Sequence, residues 1–259
     1  GGNEKLSESA EHALLELHPD KIFVFRSDGP EDKVIDQLES YSWKPTVISF
    51  GEGVTATDLS QQAFDYGRDY GLWGDEAYVV DFTDNSQSLL LSPMTYAKHA
   101  PVFVLNPWQE DCSAIIASLT SANINRIALV GPGASKFQDE FDSAGLRTNL
   151  IAAGGGDTCF EVFKMVFDFM PSIGRSGSGM ELMIASRDFD QWPELLTVGC
   201  CGGANHSALM MMDKTNLDSE AACLDYLASH AGSVSRLLFV GGRLGLGAEE
   251  QAMLASSIA

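Results

Sequence analysis

The feature that most limits what this 259-residue chain can become is a pattern it states three times. Lys21, Arg126 and Arg236 each introduce a short apolar run, a glycine-bearing loop and an amphipathic segment: KIFVFRSDGPEDKVIDQL, RIALVGPGASKFQDEF and RLLFVGGRLGLGAEEQAML. These basic residues stand 105 and 110 positions apart. Helical patterns precede them (LSESAEHALLELHPD, EDCSAIIASLTSANI and DSEAACLDYLASHAG), with Ser7 and Asp218 placed as N-caps. A second element repeats at an offset of 103, so that Gly51, Gly53, Thr55, Phe64 and Asp65 match Gly154, Gly156, Thr158, Phe167 and Asp168. In a third, KHAPVFVLN matches NHSALMMMD. Self-similarity at a long fixed period means that one supersecondary unit has been reused.

The unit reads strand, helix, strand, helix, strand, loop-helix, short strand, Gly-Thr loop, helix. Runs such as IFVF, VFVL, IALV, LMIA and LLFV are short and continuously apolar, as strands are when helices cover both faces of a parallel sheet. Strands alternating with helices imply right-handed crossovers and an α/β fold. The expected organisation is three Rossmann-like repeat units with parallel sheets: 1–74, incomplete on its N-terminal side; 75–179; and 180–259, incomplete on its C-terminal side. The Gly/Ser-rich PSIGRSGSG at 171–179 reads as a linker, with another boundary at DYGLWGD, 69–75. The polar opening Gly1-Gly2-Asn3-Glu4 shows no signal-peptide pattern and is expected to enter a repeat part-way through.

These residues resemble the cell-wall-binding repeat 2 family, which occurs as tandem triplets on clostridial and actinobacterial surface proteins. The resemblance is carried by Val240-Gly241-Gly242, Val130-Gly131-Pro132-Gly133, Ile151 through Gly156-Asp157-Thr158, and Ala100-Pro101-Val102. It extends over nearly the whole chain, through the order of its elements more than through any one motif. It implies three Rossmann-like domains in a pseudo-threefold arrangement and a secreted, wall-associated module that anchors non-covalently to a wall glycopolymer. A flanking effector domain in a longer protein would fit. Family members often carry Arg and an aromatic after the Gly-x-Asp, where this chain has Thr158-Cys159-Phe160, and Thr55-Ala56-Thr57 in the first repeat.

Charge narrows the partners. With 16 Lys plus Arg against 36 Asp plus Glu, the net charge is −20, which repels nucleic acid and anionic membranes. Neutral glycans, cation-bridged polymers and basic partners stay open. No run has the roughly 18 apolar residues of a membrane span, so membrane insertion is not expected. The five cysteines (Cys112, Cys159, Cys200, Cys201, Cys223) match no zinc spacing and read as buried thiols.

No catalytic residue, metal site or cofactor is expected. The Gly241–Gly247 loop looks like a phosphate cradle, yet the matching loop Arg26-Ser27-Asp28-Gly29-Pro30 has one glycine, so turn geometry is the better account. His99 and His206 share a repeat position at a helix end and read as C-terminal complements to the dipole. CCGGANHS, 200–207, reads as a packed helix end. The candidate ligand contacts are Gly156, Asp157, Thr158, Gly53 and Thr55 in the Gly-Thr loops, with Trp108 and Trp192, which lie in polar surroundings where an indole can stack on a sugar. Two other readings remain: a small-molecule-binding α/β protein or enzyme at a switch-point crevice, and a degenerate scaffold for protein–protein contact.

Overall fold

The computed structural model describes residues 5–25, 32–51, 54–81, 86–106, 108, 111–154, 157–173, 179–187, 192–213, 215–241 and 245–258. Two compact units emerge, Gly1–Asp69 and Tyr70–Ala259. The first contains α1 (Glu8–Leu17), β1 (Lys21–Phe25), α2 (Asp32–Glu39), β2 (Thr46–Phe50) and α3 (Ala56–Asp69). Here β1 and β2 pair in parallel from Lys21↔Thr46 to Phe25↔Phe50. Leu38 and Phe64 are its most buried apolar side chains, and Tyr66 meets the rings of Phe23 and Phe50 edge-on. Ser7 caps α1 as expected, accepting from the Ala10 amide at 3.2 Å.

The second unit carries two more parallel sheets. The first is built from β3 (Glu76–Asp81), α4 (Ser86–Lys98), β4 (Val102–Leu105), α5 (Ser113–Ser121), β5 (Arg126–Val130), α6 (Gly131–Ser135), α7 (Gln138–Ser143), β6 (Arg147–Ile151) and α8 (Thr158–Ile173). Its strands lie in the order β4-β3-β5-β6. Next come β7 (Met180–Ser186), α9 (Trp192–Asn205), β8 (Ala208–Met212), α10 (Leu217–Ser229), β9 (Val234–Val240) and α11 (Ala248–Ser257), with strand order β8-β7-β9. The α/β class with parallel sheets is therefore the architecture of the chain, and all five apolar runs singled out above are strands. Among the described residues, no helix is long and apolar enough to cross a membrane.

The basic residue at the head of the repeat has a partner that only strand register discloses. Arg126 sits beside Glu76, and Arg236 beside Glu181, in corresponding places of the two sheets. Arg126 pairs with Asp75 and lies 3.6 Å from Glu76, while Arg236 pairs with Glu181. These pairs are largely exposed on the arginine side and fix register more than they add stability.

Helix ends follow one device. His99 and His206 adopt left-handed backbone, with φ of 53° and 56°. The next amide reaches back to close the helix, Ala100 to the Thr95 carbonyl at 2.9 Å and Ser207 to that of Gly202 at 2.8 Å, the Schellman arrangement. The histidines do lie at helix ends, and it is their backbone that closes each helix. The cap expected at Asp218 is instead Asn216, which accepts from the Asp218 and Ser219 amides. Asp218 falls inside the first turn, where its charge faces the positive end of the dipole.

One apolar core runs through the second unit from β3, α4 and α8 to β7, β8 and α10. The α8 residues Cys159, Val162, Phe163, Val166, Phe167 and Met170 recur at helical spacing, and each is at most 2% exposed. Opposite them, α4 and α9 touch through glycine. A Cβ on Gly199 would collide with Ser92, one on Gly203 would stand 2.5 Å from the Tyr96 ring, and one on Gly202 would come within 3.1 Å of Pro93. The packed helix end expected at 200–207 is a glycine-lined helix contact. On α4, Pro93 supplies no amide for the Leu89 carbonyl, and the Ser92 hydroxyl donates to that carbonyl at 2.5 Å.

Cysteines divide otherwise than expected. Cys112, Cys159 and Cys223 are buried, whereas Cys200 and Cys201 are exposed on α9. The glycines at 199, 202 and 203 take the contacting face, which turns this adjacent pair outward. Gly199→Val should destabilise the protein by about 1–3 kcal/mol through overpacking against Ser92, read from urea unfolding. Gly232→Ala, where an added Cβ meets nothing within 4 Å, should stay within about 0.5 kcal/mol. Equal effects of the two substitutions would refute the close helix contact.

Candidate functional site

In sheets wound both ways, ligands sit where the strand order reverses, beyond the carboxyl ends of the strands. In the four-stranded sheet that place lies between β3 and β5. It is filled by the chain's own groups. Asp81, the last residue of β3, is 2% exposed and accepts from the Gly133 amide at 2.9 Å. A carboxylate thus occupies the place beside the loop amide that a ligand phosphate would need. Gly131 turns the chain with φ 86°, and a Cβ there would stand 2.8 Å from Gln87 Oε1. Gln87 is equally buried and donates to Thr158 Oγ1 at 3.3 Å. Gly241 repeats the turn after β9, with φ 101°. Gly131 and Gly241 are therefore turn glycines, whereas Gly133 lies within α6 and Gly247 is the N-cap of α11 with φ −68°.

Asp157 caps α8, accepting from the Phe160 amide at 3.2 Å, and its other oxygen accepts from the Ser219 hydroxyl at 2.6 Å. Arg187, just past β7, lies 3.8 Å from Asp157, and its amide donates to the Met212 carbonyl. Beyond β8, Asp213 accepts from Thr215 through both hydroxyl, 2.6 Å, and amide, 2.9 Å. The Thr215 hydroxyl holds the Asp213 carboxyl below the usual carboxylate range, with the charge of Arg187 assisting. Asp157 thus ties the first turn of α8 to α10 and to the end of β7. In the first unit, Thr55 forms a reciprocal cap with Asp58: its hydroxyl donates to the carboxylate at 2.7 Å, and the Asp58 amide returns to Thr55 Oγ1 at 3.2 Å.

The candidate contacts are thus distributed as follows. Asp157 and Thr158 lie together at the start of α8, each held by protein groups. Thr55 does the corresponding work on α3. Trp108, between β4 and α5, is 71% exposed, and its amide donates to Asn106 Oδ1 at 3.0 Å. Trp192 opens α9, its side chain outside the described residues, as are Gly53 and Gly156. Sequence reasoning missed Ser219 and Arg187 as partners of Asp157. Ser219 lies 62 positions away along the chain, and no local pattern marks it.

Thiol chemistry is suppressed where it is buried. Burial, then the Glu140 carboxylate that accepts from Cys112 at 3.0 Å, pushes that thiol up to about 12. Burial, then the charges of Asp157 and Glu220, does the same for Cys223, to about 12. Such groups are poor nucleophiles at neutral pH. No cluster of His, Cys, Asp and Glu among the described residues could hold a metal ion.

No family model and no curated protein matches the chain. Solved structures do. Cwp6 from Clostridium difficile is similar over 99% of this chain and 39% of its own length, with TM-score 0.73 and 17% identity. Cwp8 from Clostridium difficile is similar over 98% of this chain and 41% of its own, with TM-score 0.70 and 15% identity. The chain therefore spans about two-fifths of either protein. At such identity the likeness is one of fold.

Asp157→Ala should cost about 2 kcal/mol, from the lost cap and the stranded Ser219 hydroxyl, measured by chemical denaturation. A loss within error of zero would contradict the latch. Iodoacetamide at pH 8 should label Cys200 and Cys201 in the folded protein and all five cysteines after denaturation, read by mass spectrometry. Ready labelling of Cys112 or Cys223 in the native state would contradict their burial.

Proposed function

We propose that this chain is a non-catalytic cell-surface module that engages a cell-wall glycopolymer. The observation that carries the reading is the match of nearly its whole length to the fold of two Clostridium difficile cell wall proteins. The site geometry supports a binding role over a catalytic one. Asp81 and Asp157, acids at places where α/β enzymes do chemistry, are both engaged by backbone amides of their own chain. Two of the thiols are held far from the thiolate form. Nucleotide binding at the β3/β5 reversal is opposed by the carboxylate already there.

On this reading the units are 1–74, 75–179 and 180–259, and the exposed Trp108 is a stacking surface for a sugar ring. The net charge of −20 favours a neutral glycan, or an acidic one bridged by divalent cations. The protein should co-sediment with walls purified from Clostridium difficile, and Trp108→Ala should lower the bound fraction severalfold without altering the melting temperature. Parallel runs with calcium and with a chelator separate direct from cation-bridged contact. No sedimentation under either condition would overturn the proposal.

A further inference from the structure

At the opposite end of the four-stranded sheet, where β3, β5 and β6 begin, the molecule has an open cleft of about 390 Å³. Its floor follows from register. Glu76, Arg126 and Arg147 form one row across three strands, and Tyr78, Ala128 and Asn149 form the next. Its roof comes from helices: Met94 and Lys98 of α4, Met165 and Phe169 of α8. Ala128 is the smallest side chain of the floor and lies between Tyr78 and Asn149, so the space persists because the middle strand supplies only a methyl group there. The interior is mainly apolar and the mouth is charged, the usual make-up of a small-molecule site.

The charges at the mouth are unequally engaged. Lys98 lies 2.5 Å from Glu76 and 3.0 Å from the Tyr78 hydroxyl, and stands 4.6 Å over the Phe169 ring. Arg126 pairs with Asp75 and lies 3.6 Å from Glu76. The Arg147 guanidinium has no hydrogen-bond or ion-pair partner among the described residues. Three cations thus face two carboxylates, Asp75 and Glu76, which leaves one positive charge in excess on a chain whose net charge is −20. The uncommitted donors are the Arg147 fork and the Asn149 amide, side by side on edge strand β6. Burial, then the Glu76 carboxylate, raises the Tyr78 phenol well above its ordinary value, so at neutral pH it brings no second negative charge.

We propose that this cleft binds a small organic carboxylate, its charged head held by Arg147 with Arg126 beside it and its apolar body lodged over Ala128 against Phe169 and Met165. A guanidinium fork matches a carboxylate in shape and charge. The apolar walls need a body of several carbons to displace water from them. A bare inorganic anion meets the first requirement and fails the second, and a neutral amide of the same shape does the reverse. The cleft shares no residue with Trp108 or the Gly-Thr loops.

Isothermal titration and saturation-transfer NMR on the 259-residue protein test this with benzoate and hexanoate, against benzamide and inorganic phosphate as controls. Saturable binding of the two carboxylates, and at least about tenfold weaker binding of either control, is the expected result. Arg147→Ala should weaken benzoate about tenfold or more, with Arg147→Lys recovering part of the loss. Arg147 is exposed and unpartnered, so its removal should leave the melting temperature unchanged. Ala128→Leu should fill the cleft and abolish binding. No saturable binding of either carboxylate, equal binding of phosphate, or binding indifferent to Arg147→Ala would overturn the proposal. Co-sedimentation with walls that is unchanged by Arg147→Ala leaves the glycopolymer reading standing alone, so the two ideas fail separately.

Discussion

The close approach of α4 and α9 is the contact on which the second unit depends. Each of these helices belongs to a different sheet, and each must cover the strands beneath it. Three glycines on α9 remove the side chains that would hold them apart, and Ser92, Pro93 and Tyr96 take up the space. With the helices at this distance, the apolar faces of the two sheets merge into one core that also takes in α8 and α10. A fully buried aliphatic or aromatic side chain contributes about 1.5–3 kcal/mol, so burying these faces together outweighs the conformational cost of glycine in a helix, about 1 kcal/mol per residue. Repeat proteins gain stability in this way, each unit covering a face its neighbour leaves open.

The polar interactions secure what the core brings together. Asp157 links the start of α8 to α10 and Arg187, and so fastens elements of the four-stranded sheet to those of the three-stranded one. Asp81 fills the reversal point of the four-stranded sheet from within. That end of the sheet is committed to holding the fold together, while the cavity lies at the opposite end, between strand beginnings and helix endings. A Rossmann-like outline therefore does not locate the site, because the same outline can be plugged where enzymes of the class are open.

Much of this was legible in the chain. Threefold recurrence of a basic residue, an apolar run and a glycine turn marked strands and helices, since each copy corroborates the others. Fold class followed from the continuous apolar runs. What stayed hidden depends on register or on contacts distant in sequence. Glu76 and Glu181 look like ordinary surface acids until strand pairing sets them beside Arg126 and Arg236. Gly199, Gly202 and Gly203 suggest a helix end as readily as a helix contact, because sequence alone does not show which face meets a neighbour. The cleft draws on three strands and two helices spread over 76–169, and its decisive residue is an alanine, which no motif would single out.

The two sheets of the second unit share one cooperative core through α4 and α9. Native-state hydrogen exchange in increasing urea tests this most directly, by comparing the central-strand amides of β3, 78–80, with those of β7, 182–185. A shared core predicts that both sets exchange only through one global opening, with the same free energy and the same dependence on urea. Two distinct openings, with one sheet exchanging while the other stays protected, would contradict it.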